Sequence, residues 1–322
     1  MSPPPRTAAH VSPCGRRWRR GVASGVALLA LGGRSIHAQQ PDAASAVQMV
    51  TVGRHPTRVQ ALGLESRKAG APVVVFEAGI TNALEVWGSI LSQVAGVAPV
   101  VAYDRAGVGR SAWDSVTPTP RHVTDRLRRL LGQIGAPPPY VLVGYSWDGM
   151  LVRYFAGYYP GEVAGLVYVD PGPILTQSRA EQLVPFEAVG AGRSGYDAYW
   201  SSFGGFFSQA PPAVRAEFTV FRDLMELETA QRDLGPVPNV PVVALLAAKY
   251  LPVPTMQLPY DPLAHFEADL RHRTALLREW TLASSQGTLV ISNATTHAVP
   301  REDPDLIVWA VRRVLSAVPD TR

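Results

Sequence analysis

Short runs of wholly apolar residues constrain this chain more than any other feature. Pro72–Phe76 (PVVVF), Pro99–Tyr103 (PVVAY), Tyr140–Gly144 (YVLVG), Val163–Val169 (VAGLVYV) and Val240–Ala247 (VPVVALLA) have no polar face. A strand of that kind must be covered on both sides, and crossover helices supply the cover. Amphipathic stretches fall between the runs, near Ala83–Val94, His122–Ile134 and onward from Gly149, with another at Pro304–Val318. Val47–Val52 and Arg58–Leu64, joined by Gly-Arg-His-Pro, read as a hairpin ahead of the series, and Thr288–Ser292 as its last strand. The expected fold is α/β: a mostly parallel eight-stranded sheet with helices on both faces.

The alternation stops between Asp170 and Val240. Residues 172–238 carry Tyr196, Tyr199, Trp200, Phe203, Phe206 and Phe207 in helix-like pieces separated by glycine and proline. An insertion of that size after the sixth strand reads as a helical cap over a site. It divides the core into 39–171 and 239–322. Residues 1–38 stand apart. Arg16, Arg17, Arg19 and Arg20 precede the apolar and small-residue run Gly21–Gly33, followed by Ser35-Ile36-His37-Ala38. That order is a secretory signal, too short to span a bilayer, so the protein is expected to be exported, to a periplasm or the exterior. The segment holds six arginines and no acid, so its removal takes the formal charge from +4 to −2. The basic balance thus gives no pointer to nucleic acid. Cys14, the single cysteine, leaves with the signal.

In Tyr140–Tyr159 a β-type run meets a helical one, and Ser146 sits at the join between Gly144 and Gly149. A serine at a sharp strand-to-helix turn has the layout of a nucleophile elbow, with unpaired N–H groups of the helix start close behind it. A serine hydroxyl needs a base, and the base needs an orienting acid. Other chemistries find no support in the residues. Gly107-Val108-Gly109 lacks the third glycine and the lysine of nucleotide-binding loops, and no His/Cys/Asp cluster has metal-ligand spacing. No cofactor is expected.

From Pro72 to Pro171, and again from Gly287 to Leu315, the chain resembles the α/β-hydrolases. The likeness is to a serine esterase-like subgroup with an E-x-G oxyanion loop, and it is carried by FEAGI, YDRAGVGRS, VLVGYS and VRYFAGYYPGEVAGLVYVDP. It implies the chain order serine, acid, histidine. His55 and His122 precede Ser146. His265 and His272 lie on a charge-rich helical stretch, where solvated histidines are ordinary. His297, in the loop after the last strand, is the base this order selects. The acid stays open. Asp170 ends the strand after the elbow helix; Asp261 is the first carboxylate beyond the penultimate strand; another residue is a third possibility. Asp104 reads as a turn residue. The resemblance further implies two backbone oxyanion donors, the N–H groups of Ile80 and Trp147, and a serine nucleophile argues against dehalogenation and epoxide hydrolysis.

One position departs from the pattern. The elbow usually has small residues two before and two after the serine, yet position 148 is aspartate and Gly149 comes one residue late. Asp148 is either favoured by the helix dipole or a disturbance beside the hydroxyl. The expected function is that of a serine hydrolase cleaving esters of small to medium apolar acyl groups. The rival is a ligand-binding protein of the same fold whose elbow Asp148 disables.

Overall fold

The computed structural model describes residues 47–172, 178–227, 233–253 and 256–319. The export segment expected at 1–38 lies outside them. The first two strands, β1 (Val47–Val52) and β2 (His55–Leu62), pair antiparallel across a two-residue turn that opposes Val52 to His55. Gly53, at φ +67°, supplies the left-handed residue such turns demand. The second strand therefore begins inside the Gly-Arg-His-Pro segment, three residues before the expected start at Arg58, and ends at Leu62 rather than Leu64.

The remaining strands are β3 (Val73–Glu77), β4 (Val100–Tyr103), β5 (Tyr140–Tyr145), β6 (Val163–Val169), β7 (Val242–Ala247) and β8 (Gly287–Ser292). Together they form one eight-stranded sheet in the order β1-β2-β4-β3-β5-β6-β7-β8, parallel from β4 to β8. Alternate residues of β3 and β5 enter two separate apolar cores. Val73, Val75, Tyr140 and Leu142 point to one face; Val74, Phe76, Val141 and Val143 point to the other. Helices α1 (Ile90–Ala95) and, late in the chain, Pro304–Leu315 cover the second face. The first face is covered by α2 (Pro120–Gln133) and α3 (Trp147–Tyr158).

Two helices differ from the expectation. The amphipathic stretch at Ala83–Val94 is broken into a 3-10 turn at Leu84–Trp87 and α1, because Gly88 leaves the helical region at φ +44°. The elbow helix α3 starts at Trp147 rather than Gly149. Every residue from Trp147 to Ala156 is buried, so no polar stripe marks its beginning in the sequence.

Between β6 and β7 the described residues form α4 (Arg179–Glu187), α5 (Gly192–Gly205) and α6 (Pro212–Glu226). A long helix, α7 (Pro262–Leu282), links β7 to β8. A short one, α8 (Val299–Glu302), precedes α9 (Pro304–Leu315). No helix among the described residues is long and apolar enough to cross a membrane.

The order reverses between β3 and β5. Loops leaving the carboxyl ends of such neighbours diverge and leave a crevice. Three glycines let backbone close in around it. A Cβ on Gly79 would stand 2.8 Å from the Ser146 Cβ, one on Gly144 would stand 2.4 Å from the Asp148 carbonyl oxygen, and one on Gly149 would stand 2.5 Å from the Pro171 Cβ. Gly149 is thus the contact between α3 and the segment after β6. Gly149→Ala is expected to destabilise the fold by about 1–3 kcal/mol through overpacking, read as a lowered denaturant midpoint at unchanged slope.

Candidate active site

Ser146 follows β5 directly and caps α3 at φ 56° and ψ −127°, a conformation that non-glycine residues rarely adopt. Its backbone is pinned on both sides. The Ser146 N–H donates to the Val169 carbonyl at 3.0 Å, and the Ser146 carbonyl accepts from Gly149 N at 3.0 Å and Gly172 N at 3.2 Å. The chain cannot relax into the helix or the strand, and the hydroxyl stands at the apex.

Two residues distant in sequence meet that hydroxyl. The Ser146 Oγ lies 2.9 Å from His297 Nε2, and His297 Nδ1 lies 2.5 Å from Asp170 Oδ2. The network assigns the tautomer: Nδ1–H donates to the carboxylate, and Nε2 accepts from the hydroxyl. Asp170 is the residue immediately after β6, itself at φ +41°. Its Oδ1 accepts from Ala247 N at 3.0 Å and from the Arg273 guanidinium at 2.8 Å. Burial opposes ionisation of Asp170. The Arg273 charge and the His297 hydrogen bond outweigh it and hold this carboxyl well below the usual carboxylate range.

The His297 loop is anchored at several points. Tyr145, next to the serine, donates its hydroxyl to the His297 carbonyl at 2.8 Å, and its ring lies 5.2 Å from the imidazole. Glu302 accepts from the Thr296 N–H at 2.7 Å and from its hydroxyl at 2.9 Å. Lys249 N donates to Thr295 O at 3.0 Å. The imidazole is left 56% exposed, within reach of solvent.

Ile80 and Trp147 flank Ser146 in the wall of a cavity of about 340 Å³. Trp147 opens α3, so its N–H has no partner one turn earlier. No backbone hydrogen bond among the described residues uses the Ile80 N–H. Beyond them the wall is aromatic, with Phe186, Tyr199, Trp200, Phe203 and Phe221 supplied by α4, α5 and α6. Asp261, the other carboxylate considered, is exposed. It caps α7 by accepting from Leu263 N at 2.9 Å, and is not among the groups gathered at Ser146. Asp104 organises a turn, taking Leu84 N on one oxygen at 2.8 Å and Arg110 N on the other at 2.9 Å.

A family model described as alpha/beta hydrolase fold matches residues 72–228. The fold is that of an α/β hydrolase. Curated relatives are distant. Lipase LipV of Mycobacterium tuberculosis is 32% identical over 106 residues, 33% of this chain and 40% of its own length. The pimeloyl-[acyl-carrier protein] methyl ester esterase of Edwardsiella ictaluri is 33% identical over 96 residues, 30% of this chain and 35% of its own. Protein YqjL of Bacillus subtilis, uncharacterised, is 29% identical over 108 residues, 33% of this chain and 43% of its own. The matched region spans less than half the length of each. Among solved structures, a loop variant of the haloalkane dehalogenase DbeA from Bradyrhizobium elkanii superposes with a TM-score of 0.60 at 15% identity, covering 84% of this chain and 96% of that one. A membrane phospholipase A described as a bacterial virulence factor gives 0.54 at 17% identity, covering 85% and 87%.

Within this α/β-hydrolase fold the unusual Asp148 has a specific partner. Its carboxylate is wholly buried and turned to the guanidinium of Arg105, from the YDRAG turn after β4. The same guanidinium binds Glu217 of α6 with a fork, Nε to Oε1 at 2.7 Å and Nη2 to Oε2 at 3.1 Å. Glu77 completes the cluster, accepting from the Tyr103 hydroxyl at 2.9 Å. Glu77 Oε2 and Asp148 Oδ1 have no donor as two carboxylates. They find each other once a proton sits between them, since an ionised carboxylate only accepts. Burial is the main cause that pushes Glu77 up, to about 7, against the pull of Arg105.

Sequence reasoning missed the polar face of α7. His265 and His272, expected as solvated, line the cavity together with Asp269 and Arg273, and the Nε2 atoms of both histidines are buried. His265, Asp269, His272 and Arg273 recur at helical spacing, but charged residues on the rest of α7 hide that this stripe is the one that faces inward. Arg273 carried no signal, because its partner Asp170 lies 103 positions away.

The Glu77 proton has a consequence for stability. The folded state holds it more tightly than an unfolded glutamate, which releases it at about pH 4. Its contribution is complete below that pH and is lost as pH rises through about 7. Glu77→Gln keeps a neutral hydrogen-bonding group there. The melting temperature of this variant relative to wild type is therefore expected to rise between about pH 5 and pH 7 and to level off above that, and a difference independent of pH would contradict the shared proton.

Proposed function

We propose that this protein is a serine hydrolase that cleaves carboxylic esters of small to medium apolar acyl groups, exported by the segment at 1–38. The observation that carries the reading is the hydrogen-bonded chain from Ser146 through His297 to Asp170, opening onto an aromatic-walled cavity of about 340 Å³. A cavity of that size holds a modest acyl group in an apolar setting. The lipase and the methyl ester esterase among the relatives point to the same bond. Serine at the elbow favours acyl transfer over the chemistry of the dehalogenase neighbours.

In this reading Ser146 Oγ attacks the ester carbonyl as His297 Nε2 takes its proton. Asp170 keeps the imidazole in the required tautomer and stabilises the imidazolium that forms. The N–H groups of Ile80 and Trp147 receive the oxyanion of the tetrahedral intermediate. His297 then returns the proton to the leaving alcohol, and water entering past the exposed imidazole releases the acyl group through the same base. Asp148 leaves this path free, since its carboxylate is engaged with Arg105.

A fluorophosphonate probe is expected to label the wild-type protein and not Ser146→Ala; failure to label folded wild type would remove the enzyme reading. Asp170→Asn is expected to lower kcat on a p-nitrophenyl ester by about a thousand-fold or more while the protein stays folded. Asp261→Asn should leave kcat unchanged, and equal losses in the two variants would displace Asp170 as the acid.

A further inference from the structure

Two backbone donors flank Ser146, but they are supported differently. The Trp147 N–H is held by the start of α3. The Ile80 N–H lies in a loop with no regular structure, followed by Thr81 at φ +69°, a strained value for a β-branched residue. Something outside the loop has to hold it.

We propose that Arg105 is the positioning residue of the oxyanion loop, aiming the Ile80 N–H at the reacting carbonyl and tying its alignment to α6 through Glu217. The inference rests on the serine-hydrolase reading. Its basis is the geometry of one peptide unit. In a trans peptide the C=O and the following N–H point in opposite directions. The Gly79 carbonyl, which shares its peptide plane with the Ile80 N–H, accepts from Arg105 Nη2 at 3.2 Å and from Asn82 N at 2.9 Å. The preceding Ala78 carbonyl accepts from Arg105 Nη1. Fixing both oxygens on the Arg105 side sends the Ile80 N–H the other way. A cation on the carbonyl also polarises the peptide and makes its N–H a stronger donor.

The remaining contacts of Arg105 fix the guanidinium itself. It is 4% exposed, and Asp148 on α3 and Glu217 on α6 hold it from two sides. Asp148 thereby joins the elbow to the oxyanion loop, which gives the departure at position 148 a use. Glu217 shares its helix, at intervals of four residues, with Phe221 and Met225 of the cavity wall. The helix that shapes the acyl site therefore also carries the counterion of the group that orients the donor. Lysine cannot replace this arrangement, because one ammonium on a flexible stem cannot serve two carbonyls and two carboxylates in a fixed fork.

The test compares wild type, Arg105→Lys and Glu217→Gln. Arg105→Lys keeps the charge and is expected to lower kcat about a hundred-fold with little change in KM, the size of loss that follows removal of an oxyanion donor. Affinity for a trifluoromethyl ketone, which mimics the tetrahedral intermediate, should fall by a similar factor. Glu217→Gln is expected to show the same pattern at about ten-fold in a protein that stays folded at the assay temperature, with a lowered melting temperature because the buried fork loses its charge. Folded Arg105→Lys with wild-type kcat and wild-type ketone affinity overturns the proposal. If Arg105→Lys does not fold, Glu217→Gln decides alone, and an unchanged kcat overturns it. If wild type resists the fluorophosphonate, the enzyme reading falls separately. The positioning claim is then decided by NMR on protein labelled with 15N-isoleucine. The Ile80 amide should shift and exchange faster in Glu217→Gln, and an unmoved Ile80 amide overturns it.

Discussion

A serine held at φ 56° organises the molecule. Such a conformation costs on the order of 1–3 kcal/mol and persists only where the surroundings allow no alternative. Here three backbone segments close on the elbow. Gly79 passes against the Ser146 side chain, Gly144 against the Asp148 carbonyl, and Gly149 against Pro171. Each approach is possible because the glycine has no Cβ, and each brings a different loop to the serine: the FEAG loop, the elbow's own helix, and the segment that begins with Asp170. The close packing that preserves the strain also gathers the site.

Loops at the end of a sheet lack the ladder hydrogen bonds that hold strands, and this protein supplies the missing anchors with two arginines, Arg105 buried and Arg273 partly buried. Arg105 takes the carbonyls of Ala78 and Gly79, and Arg273 takes Pro171 O and the Asp170 carboxylate. A buried guanidinium suits the task, because its donors diverge in a fixed plane and its charge survives burial. Each one requires counterions. Arg105 is surrounded by Asp148, Glu217 and Glu77, more acid than one cation balances, and a retained proton on the Glu77–Asp148 pair relieves the excess. At Arg273 the balance favours ionisation, and Asp170 stays charged beside His297.

The sheet was legible because its strands are apolar on both faces, a pattern that few other structures produce. The hydroxyl and the imidazole were legible because glycines mark the elbow and because His297 follows the last strand. Elsewhere local pattern failed for identifiable reasons. Gly88 broke a helix whose apolar spacing is continuous, and α3 began early because burial on all sides erases periodicity. The α7 histidines looked solvated because the neighbouring charges hid which side of the helix faced inward.

By itself the sequence determined the order of strands and helices, the position of the turn that lifts Ser146, and the chain positions where a base and an acid could stand. These follow from side-chain period and backbone permissiveness, which are properties of neighbours along the chain. The tertiary structure alone decided that Asp170 rather than Asp261 meets His297, that Asp148 turns away from the serine toward Arg105, and that α7 lends an arginine to the acid. Those outcomes depend on which charges are buried together. Glu217 lies 112 positions from the guanidinium it holds, and no local pattern encodes the dielectric or the distance that pairs them.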